Sequence, residues 1–122
     1  MKVLIVDDSG TMRNFISAIV RELGFEVEQA ADGEEALRCL AESGPFDLAM
    51  VDWNMPGMDG ISLVRRIRAN PDWNRLKVMM VTARNEKEAV IEAVCSGADE
   101  YLIKPMTAEM VEDKLRILGL LD

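Results

Sequence analysis

Histidine is absent from this chain of 122 residues. No imidazole of its own can act as a base, carry a phosphoryl group or bind a metal, so such chemistry must come from another molecule. Cysteine is scarce: Cys39 and Cys95 are the only two, far apart and without a C-x-x-C pair. That excludes a zinc ribbon or a disulfide scaffold and fits reduced thiols. Aromatic residues are 5% of the chain. No apolar run approaches the roughly 20 residues that a membrane helix needs. The opening MKVLIVDD turns acidic too soon for a signal peptide, so a cytoplasmic location is expected. Basic residues are the minority, 14 against 22 acidic, for a formal charge of -8. The basic face of a nucleic-acid binder is missing, and an anionic membrane surface is an equally poor match. A divalent cation or a basic partner surface remains a good match.

What is present is a hydrophobic share of 49%, enough for one core. Val3–Val6 is a short β-branched-rich run that stops at Asp7 and Asp8. This is the pattern of a strand buried on both faces. Met12, Phe15, Ile16, Ile19, Val20 and Leu23 then recur at helical spacing, with Ser9 as a candidate cap and Gly24 as a stop. Phe25–Ala30 alternates as a second strand, and Asp32 begins a second helix through Leu40, closed by Ser43-Gly44-Pro45. Leu48–Val51 is a third strand ending at Asp52, followed by a breaker-rich loop to Gly60 and a helix through Ile67. Asn70-Pro71-Asp72 breaks that helix. Val78–Val81 is a fourth strand ending at Thr82, and the helix from Glu86 to Ser96 stops at Gly97. Tyr101–Ile103 is a fifth strand before Lys104, and Thr107 caps a last helix. Five βα units in series predict an α/β fold, a parallel sheet with helices on both faces and right-handed crossovers. No linker, repeat or low-complexity tract divides residues 1–122, so a single domain is expected.

The strand ends carry the chemistry. Ligands of open α/β sheets bind outside the carboxyl ends of the strands. Here those ends bear Asp7 and Asp8, Asp52, Thr82 and Lys104, while the second strand ends in unreactive Ala30-Ala31. One Asp after a strand is most often a turn or cap residue, which suits Asp32 and Asp59. Thr82 alone reads as an N-cap, and Lys104 alone as a solvated lysine. Their joint position at one edge points elsewhere. Converging carboxylates repel unless a cation sits among them, and Mg²⁺ is the hard ion that such oxygens suit. A carboxylate, a hydroxyl and an ammonium around a metal are the parts that phosphoryl transfer uses, with the carboxylate as nucleophile.

The segments VDDSGTMR, VDWNMPGMDG, MVTAR and YLIKPMTAEMVEDKL resemble those of response-regulator receiver domains of two-component signalling, particularly the stand-alone chemotaxis members. The resemblance spans essentially the whole chain. It implies a doubly wound, flavodoxin-like sheet of order 2-1-3-4-5; that order is taken from the family rather than from spacing. It also implies a lone receiver domain without an output domain, acting as a monomer. By the same resemblance Asp52 is the phosphoacceptor, and Asp7, Asp8, Asp52 and the backbone carbonyl of Asn54 hold Mg²⁺. Thr82 and Lys104 meet the phosphoryl oxygens, and the Lys104–Pro105 bond is cis. Tyr101 is the aromatic switch, turning from exposed to buried. Lys87, Val90, Tyr101 and Lys114 lie on the partner face made by the fourth helix, fifth strand and fifth helix. Asn54 and Arg84 flank the path of attacking water and tune dephosphorylation. The partners implied are a histidine kinase as phosphodonor and a protein target, with chemotaxis or flagellar-motor control as the pathway. Arg84, Met106 and the segment Asn70–Asn74 depart from the chemotaxis pattern, which bears on phosphoryl lifetime and partner choice.

Other functions fit less well. A relay or phosphate-sink receiver would carry the same site. A small aspartate-nucleophile phosphotransferase expects an acid–base residue beside the nucleophile and a substrate cap, whereas Trp53 and Asn54 follow Asp52. A pseudo-receiver expects a missing acid, Thr or Lys, and none is missing. The reading is therefore a switch, not a conventional enzyme, that catalyses only its own phosphoryl transfer and loss.

Overall fold

Short apolar runs bounded by polar turns pair side by side in the computed structural model, which describes residues 1–122. The strands are β1 (Lys2–Val6), β2 (Glu26–Ala30), β3 (Leu48–Val51), β4 (Lys77–Thr82) and β5 (Glu100–Ile103). All pairs are parallel, in the order β2-β1-β3-β4-β5. The helices between them are α1 (Gly10–Glu22), α2 (Gly33–Ser43), α3 (Gly60–Ala69), α4 (Lys87–Ser96) and α5 (Ala108–Ile117). No helix is long and apolar enough to cross a membrane.

Alternation along the strands divides the core. Leu4, Val6, Ala49, Val51, Val78 and Met80 face α2, α3 and α4, whereas Val3, Ile5, Leu48, Met50, Met79 and Val81 face α1 and α5. Because helices cover both faces, the central strands are apolar at nearly every position rather than at every second one. The central registers place Val6 beside Val51 and Val51 beside Met80. The residues that follow β1 and β3 therefore emerge as neighbours.

Caps fix where the helices start. Ser9, Asp32, Asp59 and Thr107 each accept a hydrogen bond from the backbone N–H three residues on. Gly97 ends α4 at φ 117, the left-handed region that glycine tolerates. One expectation changes. Phe15, read as part of the apolar stripe of α1, is 46% exposed, because Ile16 and Val20, with Met12, Ile19 and Leu23 packed beside them, fill the contact with the sheet. Thr82 caps nothing: α4 begins five residues later, after Glu86, without a side-chain cap. The break at Asn70 is a 3₁₀ turn over Pro71–Trp73, capped by the Asn70 side chain.

Candidate functional site

Each strand end delivers one group to a common edge. Asp7 follows β1 and is buried; its N–H donates to the Ala30 carbonyl at 3.2 Å. One carboxylate oxygen accepts the Ser9 N–H at 2.9 Å, and the other accepts Lys104 Nζ at 2.9 Å. Asp8 is exposed. Asp52 follows β3, is 8% exposed, and donates its N–H to the Val6 carbonyl at 2.9 Å. Lys104 Nζ also lies 3.5 Å from Asp52 Oδ1, so one ammonium bridges two buried carboxylates. Its backbone N–H donates to the Thr82 carbonyl at 2.9 Å, which ties the end of β5 to the end of β4. The Lys104–Pro105 peptide is cis.

The carboxylate oxygens of Asp7, Asp8 and Asp52 lie within 4.8 Å of one another. Three carboxylates against one ammonium leave two negative charges, the complement of a divalent cation. All the donors are oxygens, which suits Mg²⁺ better than a softer metal. Burial pushes the Asp52 carboxyl above its ordinary value; Lys104 opposes this and Asp7 adds to it. Gly60 packs directly on the Asp52 backbone, where a Cβ would collide with the Asp52 carbonyl oxygen. Its N–H donates to the Trp53 carbonyl at 2.8 Å. The first turn of α3 thereby clamps Asp52.

The side chain of Thr82 is fully buried at the same edge, and its Oγ1 accepts the Arg84 N–H at 3.3 Å. Arg84 is a junction. Its carbonyl accepts the Tyr101 hydroxyl at 2.8 Å, and its guanidinium lies 4.5 Å above the Trp53 ring. An outward Tyr101 is not what the fold contains: the ring is buried, because that carbonyl gives the phenol an inward partner. Burial pushes its hydroxyl up, with Glu86 adding to this and Arg84 opposing.

The structure thus brings Asp7, Asp8, Asp52, Thr82 and Lys104 to one sheet edge. Asn54 is exposed just beyond it. Lys87 is exposed and Val90 half-buried on α4, but Lys114 is not free: its Nζ lies 2.8 Å from Glu100. Sequence reasoning missed Arg13, which donates to the Asp7 carbonyl at 2.6 Å and to Gln29 at 3.1 Å, bracing the acidic strand end. Its position one turn into α1, beside an acid pair, was the available signal.

An acidic pocket with a lysine bridge, at the switch edge of a 2-1-3-4-5 sheet, defines a class of phospho-accepting signalling domains. The chain belongs to the response regulator receiver domain family, whose model matches residues 3–116. It is 46% identical over 116 residues to chemotaxis protein CheY-3 of Vibrio cholerae, covering 94% of this chain and 88% of that protein. It is 47% identical to chemotaxis protein CheY of Pseudomonas aeruginosa, covering 94% of this chain and 93% of the relative. Among solved structures, Vibrio cholerae CheY4 superposes with a TM-score of 0.88 at 36% identity, covering 95% of this chain and 96% of that one. A Francisella response regulator receiver domain gives 0.86 at 35% identity, covering 96% of this chain and 94% of that one.

Proposed function

We propose that this receiver domain is a phosphorylation switch: Asp52 takes a phosphoryl group from a phosphohistidine of a kinase and the α4-β5-α5 face reports the event to a protein target. The observation that carries the reading is the bridge of Lys104 between Asp7 and Asp52, 2.9 and 3.5 Å away. The bridge leaves an oxygen of Asp52 beside a cation, with the buried Thr82 at the end of the neighbouring strand. That oxygen forms the new O–P bond while the P–N bond of the donor breaks and its electron pair leaves on the donor imidazole. Lys104 neutralises one phosphoryl oxygen, and Thr82, whose Oγ1 accepts the Arg84 N–H, donates its own O–H to another. Asp7, Asp8 and Asp52, with the Asn54 carbonyl, would hold Mg²⁺, which would supply further charge neutralisation when bound. The chain contributes no acid–base residue, and positioning with charge does the work.

The two chemotaxis relatives make motile-behaviour control the pathway we favour, in the cytoplasm, with the chain acting as a monomer. Incubation with a phosphorylated histidine kinase and Mg²⁺ should move the label to this chain, and a chelator should stop the transfer. Retention of the label on the kinase under both conditions would refute the proposal.

A further inference from the structure

At the opposite edge of the sheet, roughly 20 Å from Asp52 along β3, lies a cleft of about 520 Å³. Its floor and walls are Phe46, Leu76 and the half-buried Trp73, flanked by Pro45 and Pro71, between the end of α2 and the 3₁₀ turn. This volume falls in the range of ligand sites, about 300–1,000 Å³.

Charge identifies the occupant. Positions 65 to 77 hold five basic residues against the single acid Asp72, in a chain whose formal charge is -8. Arg68 is consumed structurally, donating to the Gly97 and Leu76 carbonyls and to Asp99. Arg65, Arg66, Arg75 and Lys77 are exposed, and none takes part in an ion pair. Arg66 stands about 200° around α3 from Arg68, on the flank turned away from α4 and towards α2. Arg75 lines the cleft itself, as does Asp72 from the same side. An unspent arginine beside a half-buried tryptophan in an apolar-floored cleft is the composition of an interface anchor site.

We infer that this cleft docks an acidic segment of a partner protein, an apolar side chain entering beside Trp73 while flanking carboxylates pair with Arg75, Arg66 and Lys77. Asp72 opposes that charge and sets a ceiling on the affinity. The inference is independent of phosphorylation, because the cleft and Asp52 lie at opposite ends of the strands.

The test uses the full chain labelled with ¹⁵N, whose only tryptophans are Trp53 and Trp73. A Trp73→Phe variant assigns the two indole N–H signals. The probe is a synthetic peptide in which glutamates flank a Leu-Phe pair; the control carries lysines instead. The acidic peptide should move the Trp73 signal saturably and leave Trp53 in place. Arg75→Glu should weaken binding about tenfold, Asp72→Asn should tighten it, and added salt should weaken it. Asp52→Asn should bind as the wild type does. No movement of Trp73 would overturn the inference, and so would equal movement with the lysine peptide or no response to Arg75→Glu and Asp72→Asn. Self-association of the chain that buries Trp73 would assign the cleft to a second copy and overturn it too.

Discussion

Tyr101 shows how a residue's environment, rather than its type, decides what it reports. Its hydroxyl donates to the Arg84 carbonyl, and burial, with Glu86 adding, raises its ionisation above the ordinary 10.0. The native state then holds the phenolic proton more tightly than the unfolded chain. The stability from this group is complete below the ordinary value and is lost as pH rises through the raised one. As the chain has one tyrosine, an ultraviolet titration reads it directly. A midpoint above 10.0 is expected in the wild type, and a normal midpoint would place the ring outside. Arg84 offers a second case. Its guanidinium covers the ring of Trp53, the residue after Asp52, and on the proposed function it would screen that side of the phosphoryl group from water. Arg84→Glu removes a contact of about 0.5–1 kcal/mol, and phosphoryl loss should quicken roughly two- to fivefold. An unchanged or slower decay would show that the stack does not shield the phosphoryl group. The acids, Thr82 and Lys104 were legible because each terminates an apolar run. The inward Tyr101 and the Arg84–Trp53 stack were not, because they depend on loop paths that no periodicity encodes.

Among the elements, the sheet was readable nearly to the residue, since β3 and β4 are uninterrupted apolar runs and four helices begin at capping side chains. Order was another matter. Spacing requires parallel crossovers but is silent on which strands adjoin, so 2-1-3-4-5 came from the family likeness. The exposure of Phe15 was lost for a similar reason: helical spacing assigns a stripe, while the sheet's width decides how much of it is covered. The clamp between α3 and β3 is the element-scale feature most open to test. Gly60→Ala sets a methyl against the Asp52 carbonyl, a contact that only backbone movement relieves. A loss of about 1–3 kcal/mol in denaturant unfolding is expected, along with slower phosphorylation as Asp52 shifts. Wild-type stability would mean that α3 adapts freely. A core change on the far face, Leu115→Ala, should cost about 2–5 kcal/mol without altering the phosphorylated fraction, which separates packing from site geometry.

For the whole molecule, the acidic edge is a built-in tension that a divalent cation would resolve. Asp52 is held above its ordinary value of 3.8 by burial, with Lys104 opposing and Asp7 adding to the shift. In the absence of divalent ions, stability therefore falls as pH rises from the ordinary value through the raised one. Asp52→Asn should remove that fall and leave a more stable protein at neutral pH; an identical pH profile in both proteins would contradict the argument. Removing Lys104 does the reverse. Lys104→Met leaves two buried carboxylates uncompensated and should cost about 3 kcal/mol, with much of the loss recovered on adding Mg²⁺ if the ion takes up the unbalanced charge.

The central claim is that Asp52, among the 22 acidic residues, is the one that accepts phosphate, and that the neighbouring acids make the transfer depend on Mg²⁺. Intact-mass analysis after incubation with a small acyl phosphate tests it most directly. The wild type should gain one phosphoryl group with Mg²⁺ and none with a chelator, and Asp52→Asn should gain none under either condition. Full labelling of Asp52→Asn at another residue, or labelling of the wild type that ignores Mg²⁺, would contradict the account.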